Sequence, residues 1–94
     1  MKNCSLPKTV EISAEVLFQE IEGESVLLDL ESEQYFGLDE VGTQFWLCIS
    51  ADGNTEIALR TILLEFDVSE ETLRADLAAL TSELLGQGLV SIKE

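Results

Sequence analysis

The residue types that most often carry catalysis are scarce in this 94-residue chain, which has no histidine and only two cysteines, Cys4 and Cys48. Without histidine the chain lacks the commonest general base, a Cys/His zinc site and a cysteine–histidine nucleophile. The cysteines lack CxxC spacing and are too few for a disulfide framework. Cys48 falls in an apolar helical stretch, which predicts a small core residue, and Cys4 is predicted to lie in a loose tail.

Acidic pairs and paired glycines also have structural explanations. Asp39-Glu40 and Glu70-Glu71 stand where helical periodicity begins, and acidic side chains there cap a helix and complement its dipole. Gly86 and Gly88 follow a helix, whereas the glycines of a phosphate-binding loop precede one. The segment 52–54 lacks the later ligands of an EF-hand. The sequence therefore predicts a protein that is not an enzyme and that holds no cofactor or metal.

The charge of the chain is large and unevenly distributed. Nineteen acidic residues against five basic ones give a formal net charge of -14, and the twelve acidic residues between Lys8 and Arg60 have no Lys or Arg among them. Nucleic-acid binding depends largely on Lys and Arg, so this surface disfavours nucleic acid and, for the same reason, anionic membranes. It would attract a basic peptide or a basic patch on a protein. Solubility is the alternative explanation of the charge.

Length and composition indicate one globular domain. Apolar residues make up 46% and charged residues 26% of the 94 positions, which is the ordinary range for a folded protein. No apolar run approaches the ~18 residues of a membrane span, and no hydrophobic stretch of a signal peptide follows the N-terminus. We therefore expect a cytoplasmic domain.

The elements that must position any site are strands first and helices afterwards. Alternating apolar residues predict strands over 15–22, 25–30 and 34–38, with Gly23 in a tight hairpin between the first two. Apolar residues at helical spacing predict helices after Asp39, over 55–66 and after Ser69, and 89–92 as a possible closing strand. The predicted fold class is α+β, a winged helix-turn-helix-like domain with a three-stranded antiparallel sheet followed by three helices.

A helix-turn-helix raises the question of DNA binding, which the third helix disfavours. Its only basic residue is Arg74, while a recognition helix needs basic or amide side chains on its exposed face. The third strand offers another kind of site, because its outer edge can pair with a guest strand beside the third helix. Tyr35, Phe36 and Leu38 would then contact the guest, with Tyr35 the better candidate; core packing of Phe36 and Leu38 is equally compatible with the sequence.

Three segments resemble the PqqD-like family of leader-peptide recognition domains. They are residues 35–46 (YFGLDEVGTQFW), 66–71 (FDVSEE) and 80–90 (LTSELLGQGLV), and the resemblance extends over residues 14–92. It implies a recognition element for ribosomally synthesised, post-translationally modified peptides, with residues 1–13 as a flexible tail outside the domain. The run 35–42 is more similar to the stand-alone recognition proteins of lasso-peptide biosynthesis than to the pyrroloquinoline-quinone branch.

The resemblance also implies a site and partners. The leader of the precursor peptide would add as a strand to the third strand, and the domain would deliver the precursor to a leader peptidase and a cyclase or another tailoring enzyme. Asp76 would pair with a leader Lys or Arg. The implied peptide-binding residues are Gln34, Tyr35, Phe36, Gly37, Leu38, Leu73, Asp76, Leu77, Leu80 and Glu83.

Two other functions remain open at the level of sequence. The first is an acidic adaptor or regulator that docks a basic protein, and salt separates it from apolar strand addition because charge steering fades over a Debye length. The second is a DNA-binding winged-helix regulator, which would need basic residues from a partner. The sequence does not identify the precursor peptide, its modification or the oligomeric state.

Overall fold

The computed structural model describes residues 6–93, which form five strands and three helices. Their order is β1 (Val10–Ile12), β2 (Val16–Ile21), β3 (Glu24–Asp29), β4 (Gln34–Leu38), α1 (Glu40–Asp52), α2 (Thr55–Glu65), α3 (Glu70–Gly86) and β5 (Val90–Ile92). The predicted α+β class, with a three-stranded antiparallel sheet followed by three helices, is confirmed. Within 6–93, no helix is both long and apolar enough to cross a membrane.

Strands β2, β3 and β4 form the predicted antiparallel meander, in that order. Glu22 and Gly23 both have positive φ, 53° and 88°, as the two central residues of a tight type I′ hairpin require. The connection from β3 to β4 is longer, and Glu33 closes it at a φ of 62° while its N–H donates to the Asp29 carbonyl at 2.7 Å. Both turns keep β3 in the middle of the sheet and leave β4 at one edge.

One face of the meander packs on the helices. Leu27 of β3 is fully buried, and its neighbour Ser25 is 4% exposed and shares a 2.8 Å hydrogen bond between its Oγ and Thr43 Oγ1 of α1. Val26 and Leu30, which alternate with them along the chain, lie on the opposite face and are exposed. The alternation of side chains between the two faces of β3 was predicted correctly, but which of these faces is buried depends on the packing of α1.

Helices α1 and α3 begin after the predicted caps Asp39 and Ser69, and α2 begins after Asn54. The side chains of Asp39, Asn54 and Ser69 accept hydrogen bonds from backbone N–H groups three residues later, at 2.8, 3.0 and 3.2 Å. Helix α2 ends at Glu65, one residue before the predicted end, and the Phe66 N–H donates to the carbonyl of Ile62 at 2.9 Å. The centre of the core is formed by fully buried side chains of the three helices and of the turn between α3 and β5: Phe45, Leu59, Ile62, Leu73, Leu77, Leu84 and Leu89.

The N-terminal segment differs from the prediction of a flexible tail over 1–13. Residues 1–5, with Cys4, lie outside the described part of the chain, but Val10–Ile12 forms β1 and pairs antiparallel with β5. Val10 is only 2% exposed and belongs to the core. Three residues are too few to display a strand period, and their partner stands at the other end of the sequence. The predicted closing strand is therefore real, but it belongs to this second, two-stranded sheet.

Gly53 joins this second sheet to the helices, and we expect Gly53→Ala to destabilise the domain. Its φ is 77°, its carbonyl accepts the Val10 N–H at 3.0 Å, and a Cβ at this position would collide with the Val10 carbonyl oxygen. The expected loss in the free energy of unfolding is about 1–3 kcal/mol, measured by urea denaturation. Gly86→Ala is the control, because a Cβ there meets nothing within 4 Å and φ is not positive. Equal stabilities of the two variants would contradict this account.

Two arginines tie α3 to α2. Arg74 contacts Glu56 and Glu70, each at 3.0 Å, and Arg60 contacts the same two carboxylates at 3.2 and 2.9 Å. Hydrogen bonds from Arg74, followed by those from Arg60, lower the pKa of Glu70, and Arg74 has the largest effect on Glu56 as well. The four side chains are 40–56% exposed, so the network orients the helices more than it stabilises them.

The stabilisation from this network should depend on pH. Because the folded-state pKa values of Glu56 and Glu70 lie below their ordinary value of 4.5, the stabilisation is present above that value and is lost as pH falls through the folded values. We expect Arg74→Met to lower the melting temperature at pH 7 and to approach the wild type as the pH falls below 4.5 and the two carboxylates become protonated. Melting curves of both proteins from pH 7 to pH 2.5 measure this. A difference that stays constant over this range would show that the charges are not its source.

Candidate functional site

The outer edge of β4 is open. Among residues 6–93, β3 is the strand that pairs with β4, and the opposite edge of β4 carries no strand. An edge of this kind presents unpaired backbone N–H and C=O groups that can pair with another chain. The edge predicted from the sequence as the binding element is thus present in the folded domain.

The ladder pattern identifies which groups of β4 point outward. The Leu30 N–H donates to the Glu15 carbonyl at 2.8 Å, so 15 and 30 form a hydrogen-bonded pair, and such pairs alternate along an antiparallel ladder. Residues 25, 27 and 29 of β3 therefore bond to 38, 36 and 34 of β4. The backbone N–H and C=O groups of Tyr35 and Gly37 are consequently directed to the open edge. Gly37 adds no side chain that would crowd a strand placed there.

A groove of about 630 Å³ lies beside this edge, between β4 and α3. Its ends are formed by the first turn of α1 and by the segment that joins α2 to α3. The lining residues are Phe36, Gly37, Leu38, Asp39, Val41, Gly42, Phe66, Asp67, Val68, Leu73, Asp76, Leu77, Leu80 and Glu83. One wall thus combines strand backbone with apolar side chains, and the other is a helix.

The apolar residues of the groove divide into a floor and accessible walls. Leu38, Leu73 and Leu77 are 5%, 1% and 1% exposed, so they form a floor that also belongs to the core. Phe36 and Leu80 are only partly buried and flank the opening from the strand and the helix. An apolar side chain that entered the groove would displace water from these two residues without a rearrangement of the core.

Charge around the groove has one sign. Asp39, Asp67, Asp76 and Glu83 line it, and none of the other groove residues is basic. Asp39 already uses one carboxylate oxygen to accept the Gly42 N–H at 2.8 Å. A cationic side chain at the rim would therefore meet carboxylates from the end of β4 and from α3, and an anionic one would be repelled.

Eight of the ten residues predicted for the site line the groove, and two do not. Gln34 lies at the exposed start of β4, and the Tyr35 side chain, 73% exposed, stands on the other face of the sheet. Tyr35 can contribute its backbone to the edge, whereas its side chain points away from the groove. The Phe36 side chain lines the groove and that of Tyr35 does not, because the polar tip of Tyr35 indicates exposure but not the face on which it lies.

The groove also contains residues that the sequence reasoning did not assign to a site. Asp39, Val41 and Gly42 belong to the cap and first turn of α1, and Phe66, Asp67 and Val68 form the connection to α3. Capping and helix termination explained these residues in the sequence. A signal was available in Phe66 and Val68, because two apolar residues flanking a helix break often contact another surface.

Other features of the structure concern DNA binding, cysteine chemistry and metal binding, which were considered for the sequence. Arg74, the basic residue of α3, binds Glu56 and Glu70, so its guanidinium is engaged within the domain. Cys48 is partly buried against the core, and this burial raises the pKa of its thiol. No group of three or more His, Cys, Asp or Glu side chains that could hold a metal ion occurs within residues 6–93.

Together, the fold and the groove define a small winged-helix-like domain with an open strand edge beside its third helix. The sequence profile of the family described as coenzyme PQQ synthesis protein D (PqqD) matches residues 24–90. This chain belongs to the PqqD family, and the predicted PqqD-like membership is confirmed. A comparison with curated protein sequences gives no match.

Two solved structures are similar over nearly their whole length. One, described as TbiB1 in complex with the TbiA(beta) leader peptide, is 31% identical with a TM-score of 0.81, over 89% of this chain and 98% of the other. The second, described as lasso peptide synthetase B1 complexed with the leader peptide, is 20% identical with a TM-score of 0.76, over 87% and 96%. The first supports family membership as well as fold, and the second supports the fold.

Proposed function

We propose that this chain binds the leader segment of a ribosomally synthesised precursor peptide as a strand added to the outer edge of β4, without itself catalysing a reaction. The observation that carries the proposal is the open edge of β4, whose outward groups at Tyr35 and Gly37 border an apolar groove. Both similar solved proteins are described in complex with a leader peptide. The proposed ligand is therefore the leader segment of a lasso-peptide precursor.

Strand addition explains each part of the groove. Backbone hydrogen bonds to Tyr35 and Gly37 would supply affinity that does not depend on sequence. Since alternate side chains of a strand point to the same face, every second leader residue would enter the groove between Phe36 and Leu80. Lys or Arg at the leader positions nearest Asp76 and Glu83 would form charge-assisted hydrogen bonds. The recognised sequence is thus an extended apolar stretch with a basic residue.

The domain would act by presenting the rest of the precursor. With the leader held at one edge of a rigid sheet, the core peptide remains free for a leader peptidase and a cyclase or another tailoring enzyme. Tethering raises the effective concentration of the core peptide at an enzyme that binds the same domain.

An acidic adaptor for a basic protein is the second candidate function, favoured by the charge of the chain. Its binding would weaken steeply with salt, while apolar strand addition would persist.

The test is a titration of the whole chain with a synthetic leader peptide from a lasso precursor, followed by fluorescence anisotropy. We expect saturation below about 10 µM, and no binding at about 50 µM would contradict the proposal. Single backbone N-methyl groups are then placed along the leader. Removal of one N–H that pairs with β4, together with the added bulk, should weaken binding about tenfold at every second residue. Equal losses at successive residues would exclude a strand-like complex, and a scrambled leader is the control.

A further inference from the structure

A buried polar pair joins the meander to α1. The side chains of Ser25 in β3 and Thr43 in α1 are 4% and 0% exposed, and their hydroxyl oxygens lie 2.8 Å apart in a hydrogen bond. The buried strand residues beside this pair, Leu27 and Leu38, are apolar. Two hydroxyl groups in such surroundings need partners, and here each is the partner of the other.

The Thr43 hydroxyl differs from other helical hydroxyls of this chain in its choice of partner. Ser50, Thr61 and Thr81 each donate to the carbonyl oxygen four residues earlier in their own helix, at 2.8, 2.8 and 2.7 Å. A serine or threonine within a helix can satisfy its hydroxyl in this way. Thr43 instead bonds to a strand, across a sequence separation of 18 residues. Its hydrogen bond therefore links two elements of the fold.

Both walls of the groove are supported by α1. The meander packs on the helices mainly through α1, and α3 packs on α1 and α2. Strand β4 and helix α3 face each other across a groove of about 630 Å³, so direct contact between them does little to fix their separation. The contact between the meander and α1 therefore sets the distance from β4 to α3.

The polar pair lies close to the binding edge. Ser25 is the hydrogen-bonded cross-strand partner of Leu38, the last residue of β4. Thr43 follows Gly42, which lines the groove and lies so near β4 that a Cβ there would be 3.2 Å from Leu38 Cδ2. Apolar contacts are non-directional and permit small shifts of the sheet, whereas a hydrogen bond requires a particular distance and angle. The pair can thus fix the position of β4 on α1.

We propose that Ser25 and Thr43 are positioning residues for leader binding, because their hydrogen bond fixes the meander on α1 and holds the groove at the width that a leader strand needs. This inference rests on the proposed function, but it concerns two buried residues that do not line the groove. Without the bond, the sheet samples other positions on α1. The apparent Kd then rises by the inverse of the fraction of molecules whose groove is competent, about tenfold for a fraction of about one in ten.

The experiment separates leader affinity from stability in variants of the full chain. Ser25→Ala with Thr43→Val removes both hydroxyls and leaves neither without a partner, so the midpoint of urea denaturation should stay close to that of the wild type. Its Kd for the synthetic leader should rise about five- to tenfold, through slower association, because fewer free molecules have a competent groove. Thr43→Ser keeps the hydroxyl but loses a buried methyl group, so it should be less stable and bind the leader as the wild type does.

Thr81→Val is the matched control, because Thr81 is 1% exposed and bonds within its own helix, and its leader affinity should not change. A double variant that binds the leader as tightly as the wild type overturns the positioning role alone. An equal loss of affinity in Thr43→Ser also overturns it, since affinity would then follow stability. If the double variant does not fold, Ser25→Ala is compared with Thr43→Ser, and equal affinities overturn the role. A wild-type chain that does not bind the leader overturns the proposed function, and this inference with it.

Discussion

Leu80→Asp is expected to weaken leader binding at least about 100-fold while the domain stays folded. Leu80 is partly buried on the α3 wall of the groove, opposite Phe36. Its loss removes apolar contact worth about 2 kcal/mol, and a leader strand laid over the new carboxylate would also desolvate a charge beside Asp76 and Glu83. Together these costs exceed the 2.7 kcal/mol or so that corresponds to a 100-fold change.

Anisotropy titration with the leader peptide measures the effect of Leu80→Asp, and circular dichroism confirms the fold. Leu64→Asp is the matched control, because it places the same charge on α2 at a side chain that is 87% exposed. It should bind the leader as the wild type does. If Leu80→Asp binds equally well, the peptide does not occupy the groove. If it unfolds, Leu80 belongs to the core and Phe36→Asp becomes the remaining test of the walls.

Leu77→Ala should instead act on stability. Leu77 precedes Leu80 by one helical turn but is 1% exposed in the groove floor, where it packs with Leu38 and Leu73. Leu→Ala at a fully buried site lowers the free energy of unfolding by about 2–5 kcal/mol, through lost transfer free energy and a residual cavity. The total stability of a small domain is about 5–15 kcal/mol, so the variant should remain folded at low temperature.

Guanidinium chloride denaturation of Leu77→Ala and Leu80→Ala distinguishes the floor from the wall. Leu80→Ala should cost about 1 kcal/mol in stability and have the larger effect on leader affinity. Leu77→Ala should show the larger loss of stability and the smaller loss of leader affinity, when binding is measured below its melting temperature. Equal losses of stability in the two variants would mean that Leu80 is part of the core, as Leu77 is, and does not form an accessible wall of the groove.

Local signals in the sequence were enough for most of the fold. The caps at Asp39 and Ser69 and the positive φ of Gly23 depend on contacts within a few residues, so their residue types predict them directly. Strand β1 was missed because its evidence is not local. Val10 is held by Ile92 of β5 and by Gly53, which lie 82 and 43 residues away along the chain.

The candidate site was predictable only in part, because some of it follows from the order of elements and the rest depends on which surfaces pack together. The order of elements placed β4 beside α3, and eight of the ten predicted residues line the groove. The face on which a strand residue lies depends on what covers the sheet, and the alternation of residues alone gives two equivalent choices. Because of this ambiguity the sequence places the Tyr35 side chain in the groove, whereas in the structure it lies on the face of the sheet that points away from the helices.

By itself, the sequence determined the element types, the helix starts, the acidic charge, and a third strand available for pairing next to a leucine-rich helix. Those properties follow from residue type, short-range hydrogen bonds and periodicity. The tertiary structure alone decided that Leu27 rather than Val26 faces α1, that Leu77 is floor and Leu80 is wall, and that β1 joins β5. Each of these depends on which surfaces meet after the chain has folded, and contacts between distant segments leave no periodic trace in the sequence.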